Sequence, residues 1–421
     1  MNNITKEIGK QDPQYFIERK KMKKILFCLP QMLGRGVEKS FLTLVSQLPE
    51  KEYNITVLFV EMRGEFVPFI PEYIIKGEIP MDETMRYDAS HDISTRYKIF
   101  RSIKKGKFRE ALGMFYRKAI KHDPLGGFTK TFDQLPRLDE NYDMAICYHV
   151  HNPFLIRYIS DVVNAKVKMA WIHNDFVTTQ FPIEKYEREL SLYDRIFGVS
   201  RKIVQEFSER LPNLSDRIFY FENIVDFKEM EEKAGDVEPS EYNKYHKGKK
   251  IILTVGALTE QKGIDIALET TKQMVEDGIS DFIWFILGIG IQYDELKERV
   301  EKYGLQSNFI LCGHRDNPYP YFKFCDIYVQ PSRHEGYGIA LAEARAFCRP
   351  CVATDFAGAR EQLEDGITGS IVRCEIGELK TEIIKLLNSE ELRKKYSDKL
   401  RVLKKEKETS RVSLLTELLI E

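Results

Sequence analysis

The chain has 421 residues, of which 43% are hydrophobic and 31% charged, and its formal net charge is −1. That length exceeds one ordinary core and points to two domains, while the near-zero charge offers no bulk attraction to nucleic acid. The longest apolar runs, "IILTVGAL" and "FIWFILGIGI", are about half the length a membrane span needs, and the stretch before "KKILFCLP" lacks the apolar core of a signal peptide, so a cytoplasmic protein is expected.

Short apolar runs alternate with helical patterns from the start. "KKILFCLP" precedes the helical "VEKSFLTLVSQL"; then come "ITVLFVEM", "YDMAICYHV", "VKMAWIHND", "DRIFGVS", the helical "RKIVQEFSERL" and "RIFYFENIVD". Runs that are apolar on both faces read as buried parallel strands. Alternating strand and helix predicts an α/β doubly wound sheet. The polar stretch 231–250 reads as a weakly structured linker, after which the pattern restarts with "IILTVGAL", "DFIWFILGIG", "NFILCGH", "CDIYVQPS" and "RPCVATDFAG". Two such domains in tandem would leave a cleft outside the C-terminal ends of their strands, where open α/β sheets take ligands. The charged stretch 390–421 reads as helix.

The seven cysteines carry no export context and read as free, mostly buried thiols. Cys348 and Cys351 form a lone C-x-x-C with no second pair, as two core cysteines at a helix-to-strand connection would. No His/Cys ligand cluster calls for a metal.

Glycines gather where strands end. Gly34 and Gly36 in "PQMLGRGVEKS" stand between a strand and a helix, where backbone can approach an anion; an ordinary βα turn uses glycine in the same way. Gly256 closes a strand ahead of Lys262-Gly263, and Gly288 and Gly290 close the next. Lys262 is either a phosphate-binding point charge or a solvated surface lysine. In "RHEGYGIALAEA", Glu335 precedes a glycine turn and Glu343 lies on the second turn of the helix expected to begin near Gly338. The helix start favours an anion, and carboxylates favour hydroxyls. That layout suits a sugar nucleotide, with hydroxyls at both ends and phosphate between. The plainer reading makes Glu335 a loop residue and Glu343 a helix-surface residue.

In combination and in order these motifs resemble glycosyltransferase family 4, retaining enzymes of the GT-B fold, in the variants seen in bacterial surface-polysaccharide synthesis. The resemblance covers most of the chain and is strongest over 251–372. It implies two tandem Rossmann-like doubly wound domains facing a central cleft: 1–225 on the acceptor side, 226–400 binding the nucleotide sugar, and a C-terminal helix, 401–421, returning to the first domain. It implies catalytic roles for Glu335, which would contact the transferred sugar, for Lys262, which would neutralise the departing phosphate, and for His173 in "AWIHND", on the acceptor side. Donor-binding positions carried over are Glu343 on the ribose, Gly338 and Ile339 on the diphosphate, and Gly34, Arg35, Gly36, Gly256 and Gly288. Ala257 stands where the family often pairs an arginine with the lysine; Arg35, in place of a usual glycine, is the candidate substitute.

The function implied is transfer of a sugar, of hexosyltransferase type, from a nucleotide-sugar donor, a UDP-sugar by resemblance. The acceptor would be a growing glycan or a lipid-linked acceptor in polysaccharide biosynthesis, and neither metal nor other cofactor would be needed. The competing readings are a sugar-nucleotide epimerase and a non-enzymatic GT-B subunit supporting a partner transferase. Residues 96–121, "RYKIFRSIKKGKFREALGMFYRKAIK", hold ten Lys/Arg and one acidic residue among apolar ones. Such a segment could rest on an anionic membrane surface at the inner face of the cell membrane, or be an ordinary solvated helix.

Overall fold

The computed structural model describes residues 22–33, 36–90, 112, 135, 138, 140–245 and 248–408. The chain divides into two compact units, Met1–Val199 with Ile203–Glu222, and Ser200–Lys202 with Asn223–Glu421.

The first unit is built on a seven-stranded sheet in the order β3-β2-β1-β4-β5-β6-β7. Its strands are β1 Lys23–Leu29, β2 Tyr53–Phe59, β3 Ile75–Glu78, β4 Tyr142–Cys147, β5 Ala165–Ile172, β6 Arg195–Gly198 and β7 Ile218–Tyr220. Every pairing is parallel. β1 and β4 pair at the centre and are buried almost throughout, so they read as apolar runs. β3 is the edge strand and has no fully buried residue. Its "IKGE" carries little apolar signal, which is why the sequence pattern gives no strand there.

The second unit repeats the scheme in six parallel strands, ordered β10-β9-β8-β11-β12-β13. These are β8 Lys250–Val255, β9 Phe282–Leu287, β10 Phe309–Gly313, β11 Ile327–Gln330, β12 Cys351–Thr354 and β13 Gly369–Val372. All six residues of β9 are buried. Trp284 packs in this core, where burial of one such side chain is worth about 1.5–3 kcal/mol. Its indole N–H donates to Thr254 Oγ1 at 3.0 Å, and that hydroxyl donates on to the Val329 carbonyl at 2.6 Å, so no polar group is stranded across the three strands.

Both sheets run outward in two directions from a central pair, β1/β4 and β8/β11. This is the Rossmann-like doubly wound order, with its ligand crevice outside the C-terminal ends of those strands.

Residues 231–245 are more ordered than their polarity suggests. They carry the end of a helix, Phe227–Ala234, and a second helix, Ser240–Tyr245. The reason is Tyr242, fully buried with its ring 4.6 Å from Phe285 and its hydroxyl donating to the Tyr321 carbonyl at 3.0 Å. One aromatic anchor outweighs a run of charged neighbours. The last described helix, Glu390–Glu408, begins well before 401; the remainder of the 401–421 segment lies outside the described residues.

All seven cysteines are free, and Cys348 and Cys351 are both buried.

Candidate active site

Most of the residues singled out in the sequence lie in the second unit, at the C-terminal ends of β8, β9 and β11. Gly256 follows β8, and its N–H donates to the Leu287 carbonyl at 2.9 Å, joining the ends of β8 and β9. Gly288 follows β9 with φ +145°, and a Cβ there would lie 1.9 Å from the Gly256 carbonyl oxygen. Only glycine permits that approach. Lys262 ends a short 3₁₀ turn, Glu260–Lys262. Its stem lies over Gly256, with Cδ 3.5 Å from where a Cβ would stand. Ala257, beside it, is exposed.

The Lys262 ammonium pairs with Glu335 Oε1. The same oxygen accepts from Gln330 Nε2 at 2.9 Å and Ser332 Oγ at 3.0 Å. Glu335 Oε2 accepts no hydrogen bond among the described residues. The helix that follows is Ile339–Ala346, with Gly338 before it in the left-handed region at φ +88°. A Cβ on Gly338 would strike the Phe356 ring at 2.8 Å. The turn is held by the buried Gln362, whose Nε2 donates to the Tyr337 carbonyl at 2.5 Å and lies 3.3 Å from the Gly338 carbonyl. The first bond of the helix is Ala342 N to Gly338 O, so the amides of the first turn, beginning at Ile339, point out of its start without a helical partner.

Glu343 is on the second turn and only 3% exposed. It is therefore not a surface residue of the helix. Burial, then the charges of Cys351, Glu343 and Glu335, hold the Tyr328 hydroxyl well above its ordinary pKa, which places Tyr328 within the field of both carboxylates. The second unit thus gathers Gly256, Gly288, Lys262, Glu335, Gly338 and Glu343 around the reversal point of one sheet. Its chemistry is a cation, a row of free amides and two buried carboxylates.

In the first unit, Gly36 opens the Gly36–Ser46 helix after β1; Gly34 and Arg35 lie outside the described residues. The Ser40 and Tyr148 hydroxyls lie 2.8 Å apart and tie that helix to the end of β4. His173 follows β5, 5% exposed, with its ring 4.7 Å from Tyr148. Among the described residues neither of its ring nitrogens has a partner at full hydrogen-bond geometry. Burial, and then the neighbouring His149, push its pKa down to about 3, with the Tyr148 backbone opposing weakly. His151 is in the same state: both ring nitrogens are shielded and unpartnered, and burial, His149 and His173 lower its pKa well below the usual value.

Sequence reasoning missed His149 and His151 in "CYHVHN", and it missed Gln330 and Ser332 on Glu335, Tyr328 behind Gln330, and Gln362 on the Gly338 turn. Gln330 had a visible signal, a polar residue ending an otherwise apolar strand. The histidines had none beyond their own presence.

The same two-sheet plan occurs in solved glycosyltransferases. The Anabaena protein HepE in complex with UDP-glucose superposes with a TM-score of 0.69 at 14% identity, over 94% of this chain and 98% of that one. The fold is therefore GT-B, two tandem Rossmann-like domains. Within it, residues 238–402 match the family model described as glycosyl transferases group 1. Among curated proteins, an uncharacterised glycosyltransferase of Methanocaldococcus jannaschii is 33% identical over 204 residues, 48% of this chain and 52% of that protein. The poly(glycerol-phosphate) alpha-glucosyltransferase of Bacillus subtilis is 26% identical over 207 residues, 49% of this chain and 29% of that protein. The chain spans about half the length, or less, of these relatives. Among the described residues no three His, Cys, Asp or Glu side chains are grouped to hold a metal ion, and no helix is long and apolar enough to cross a membrane.

Proposed function

We propose that the protein is a retaining glycosyltransferase of family 4, of hexosyltransferase type. It would move a sugar from a UDP-sugar to a growing glycan or lipid-linked acceptor in polysaccharide biosynthesis. The observation that carries the reading is the Lys262–Glu335 pair standing beside the Gly338 turn, with a second buried carboxylate, Glu343, in the helix behind it. Glu343 would accept from the ribose, the amides at Gly338 and Ile339 would hold the diphosphate, and Gly256 and Gly288 would let it approach the strand ends. Lys262 would exchange Glu335 for the departing phosphate, and Glu335 would face the sugar. The region 226–400 is then the donor domain and 1–225, with His173, the acceptor side; Gly34, Arg35 and Gly36 would complete the donor contacts.

The anomeric carbon–oxygen bond breaks with its electron pair leaving on UDP. The acceptor oxygen bonds to the same face, and its proton passes to the leaving phosphate oxygen. The protein's part is positioning and stabilising the leaving charge with Lys262 and the helix start, without a metal. The enzyme would work in the cytoplasm, at the inner face of the membrane, with 96–121 as its contact; of that segment only Leu112 is described.

A panel of nucleotide sugars tested by thermal shift checks the donor, because a bound ligand raises stability by mass action; no rise with any of them contradicts the reading. The two carboxylates are then separated by kinetics. Glu343→Ala should raise the donor KM by roughly 1.5–3 kcal/mol, the loss of a charged hydrogen bond made in ground and transition states alike. Glu335→Gln should lower kcat more than donor affinity. Normal turnover by Glu335→Gln, or unchanged nucleotide binding by Glu343→Ala, would show that the ends are misassigned.

A further inference from the structure

Three donors converge on Glu335 Oε1, and they are not equivalent. The Lys262 side chain is 25% exposed, whereas Gln330 and Ser332 are 2% and 1% exposed. The cation reaches the carboxylate from the solvent side, and the two neutral groups reach it from the interior. Those neutral groups are themselves fixed. The Tyr328 hydroxyl donates to Gln330 Oε1, which turns the Gln330 amide nitrogen toward Ser332 Oγ, at 2.9 Å, and Glu335, with one N–H for each. The Thr354 hydroxyl donates to the Ser332 backbone carbonyl and lies 3.2 Å from that of Gln330. Gln330 also ends β11, which is clamped between β8 and β12. Lysine, by contrast, is a mobile point charge on a flexible stem.

We propose that Gln330 and Ser332 are positioning residues. They hold the Glu335 carboxylate from behind, so that Lys262 can leave it for the donor's diphosphate without the carboxylate moving. The proposal rests on the donor reading given above. A buried carboxylate stripped of its sole partner would be strongly disfavoured. One that keeps two neutral donors keeps its place.

The first test needs no catalysis. Urea unfolding of the full chain, without ligand, is compared for the parent, Lys262→Ala, Gln330→Leu and the double variant. With Lys262 gone, Gln330 is one of two remaining donors, so its removal should lower the midpoint by about twice as much as it does in the parent. The Tyr328 hydroxyl stranded by Gln330→Leu, and the bond to Ser332 Oγ that the variant loses, are common to both backgrounds and cancel. Additive shifts overturn the proposal, and Ser332→Ala replaces Gln330→Leu should the double variant fail to fold. The second test is kinetic. Gln330→Leu should lower kcat by roughly a hundredfold, the scale of an ångström-level misplacement. Its dissociation constant for UDP should stay within about threefold of the parent. Parallel loss of UDP binding and turnover would make Gln330 merely structural and overturn the assignment. Should the parent release UDP from no nucleotide sugar, the functional reading fails, while the unfolding cycle still decides the anchoring.

Discussion

His173 and His151 are buried neutral, and among the described residues none of their four ring nitrogens has a partner at full hydrogen-bond geometry. A depressed pKa in the fold has a definite consequence for stability. Unfolded, each imidazole titrates near 6.5; folded, His173 stays neutral down to about 3. Stability is therefore intact above the unfolded value and is lost as pH falls below it, by up to about 1.4 kcal/mol per pH unit for each histidine. The denaturant midpoint should drop between pH 7.5 and 5.5, and His173→Asn should flatten the drop. A midpoint indifferent to pH in this range contradicts buried neutral imidazoles. Glu335, Glu343 and Lys262 were legible in the sequence because their chemistry is marked by spacing around glycines. Gln330 shows only as a polar residue ending an apolar strand and Ser332 not at all, because their role is set by which strand end faces which loop, and no local spacing encodes that.

The elements that shape the site are short turns fixed by close backbone approach, and these can be tested one by one. Gly288→Ala would drive a methyl group onto the Gly256 carbonyl, 1.9 Å away, at a φ that only glycine adopts freely. It should cost at least about 3 kcal/mol, the upper end for a strained backbone position. Gly304→Ala has a positive φ but nothing within 4 Å, so it should cost only about 1–2 kcal/mol. Equal losses in urea unfolding would mean that the strand ends are not packed as described. Legibility follows the same physics at this scale. β1, β4 and β9 announce themselves as apolar runs because they are buried on both faces almost throughout. β3 stays silent because an edge strand needs little apolar surface. The helix Ser240–Tyr245 hides among charges because a single residue, Tyr242, anchors it.

Across the whole molecule, one strand order is used twice, and both times the singled-out residues follow the strands at or next to the point where that order reverses. Glycine turns after apolar strands mark that point in the sequence, which is why the candidate residues could be placed at strand ends before the structure. The identity of the sugar and acceptor could not, because they depend on side-chain surroundings in which Ala257 already departs from the common pattern. The claim that joins residues to function is retention at the anomeric carbon of a nucleotide sugar. It is tested most directly by following the purified chain by proton NMR with whichever nucleotide sugar stabilises it most. The account predicts that UDP appears together with a sugar whose first-formed anomer matches that of the donor. An inverted first anomer, or no UDP from any donor, would contradict it.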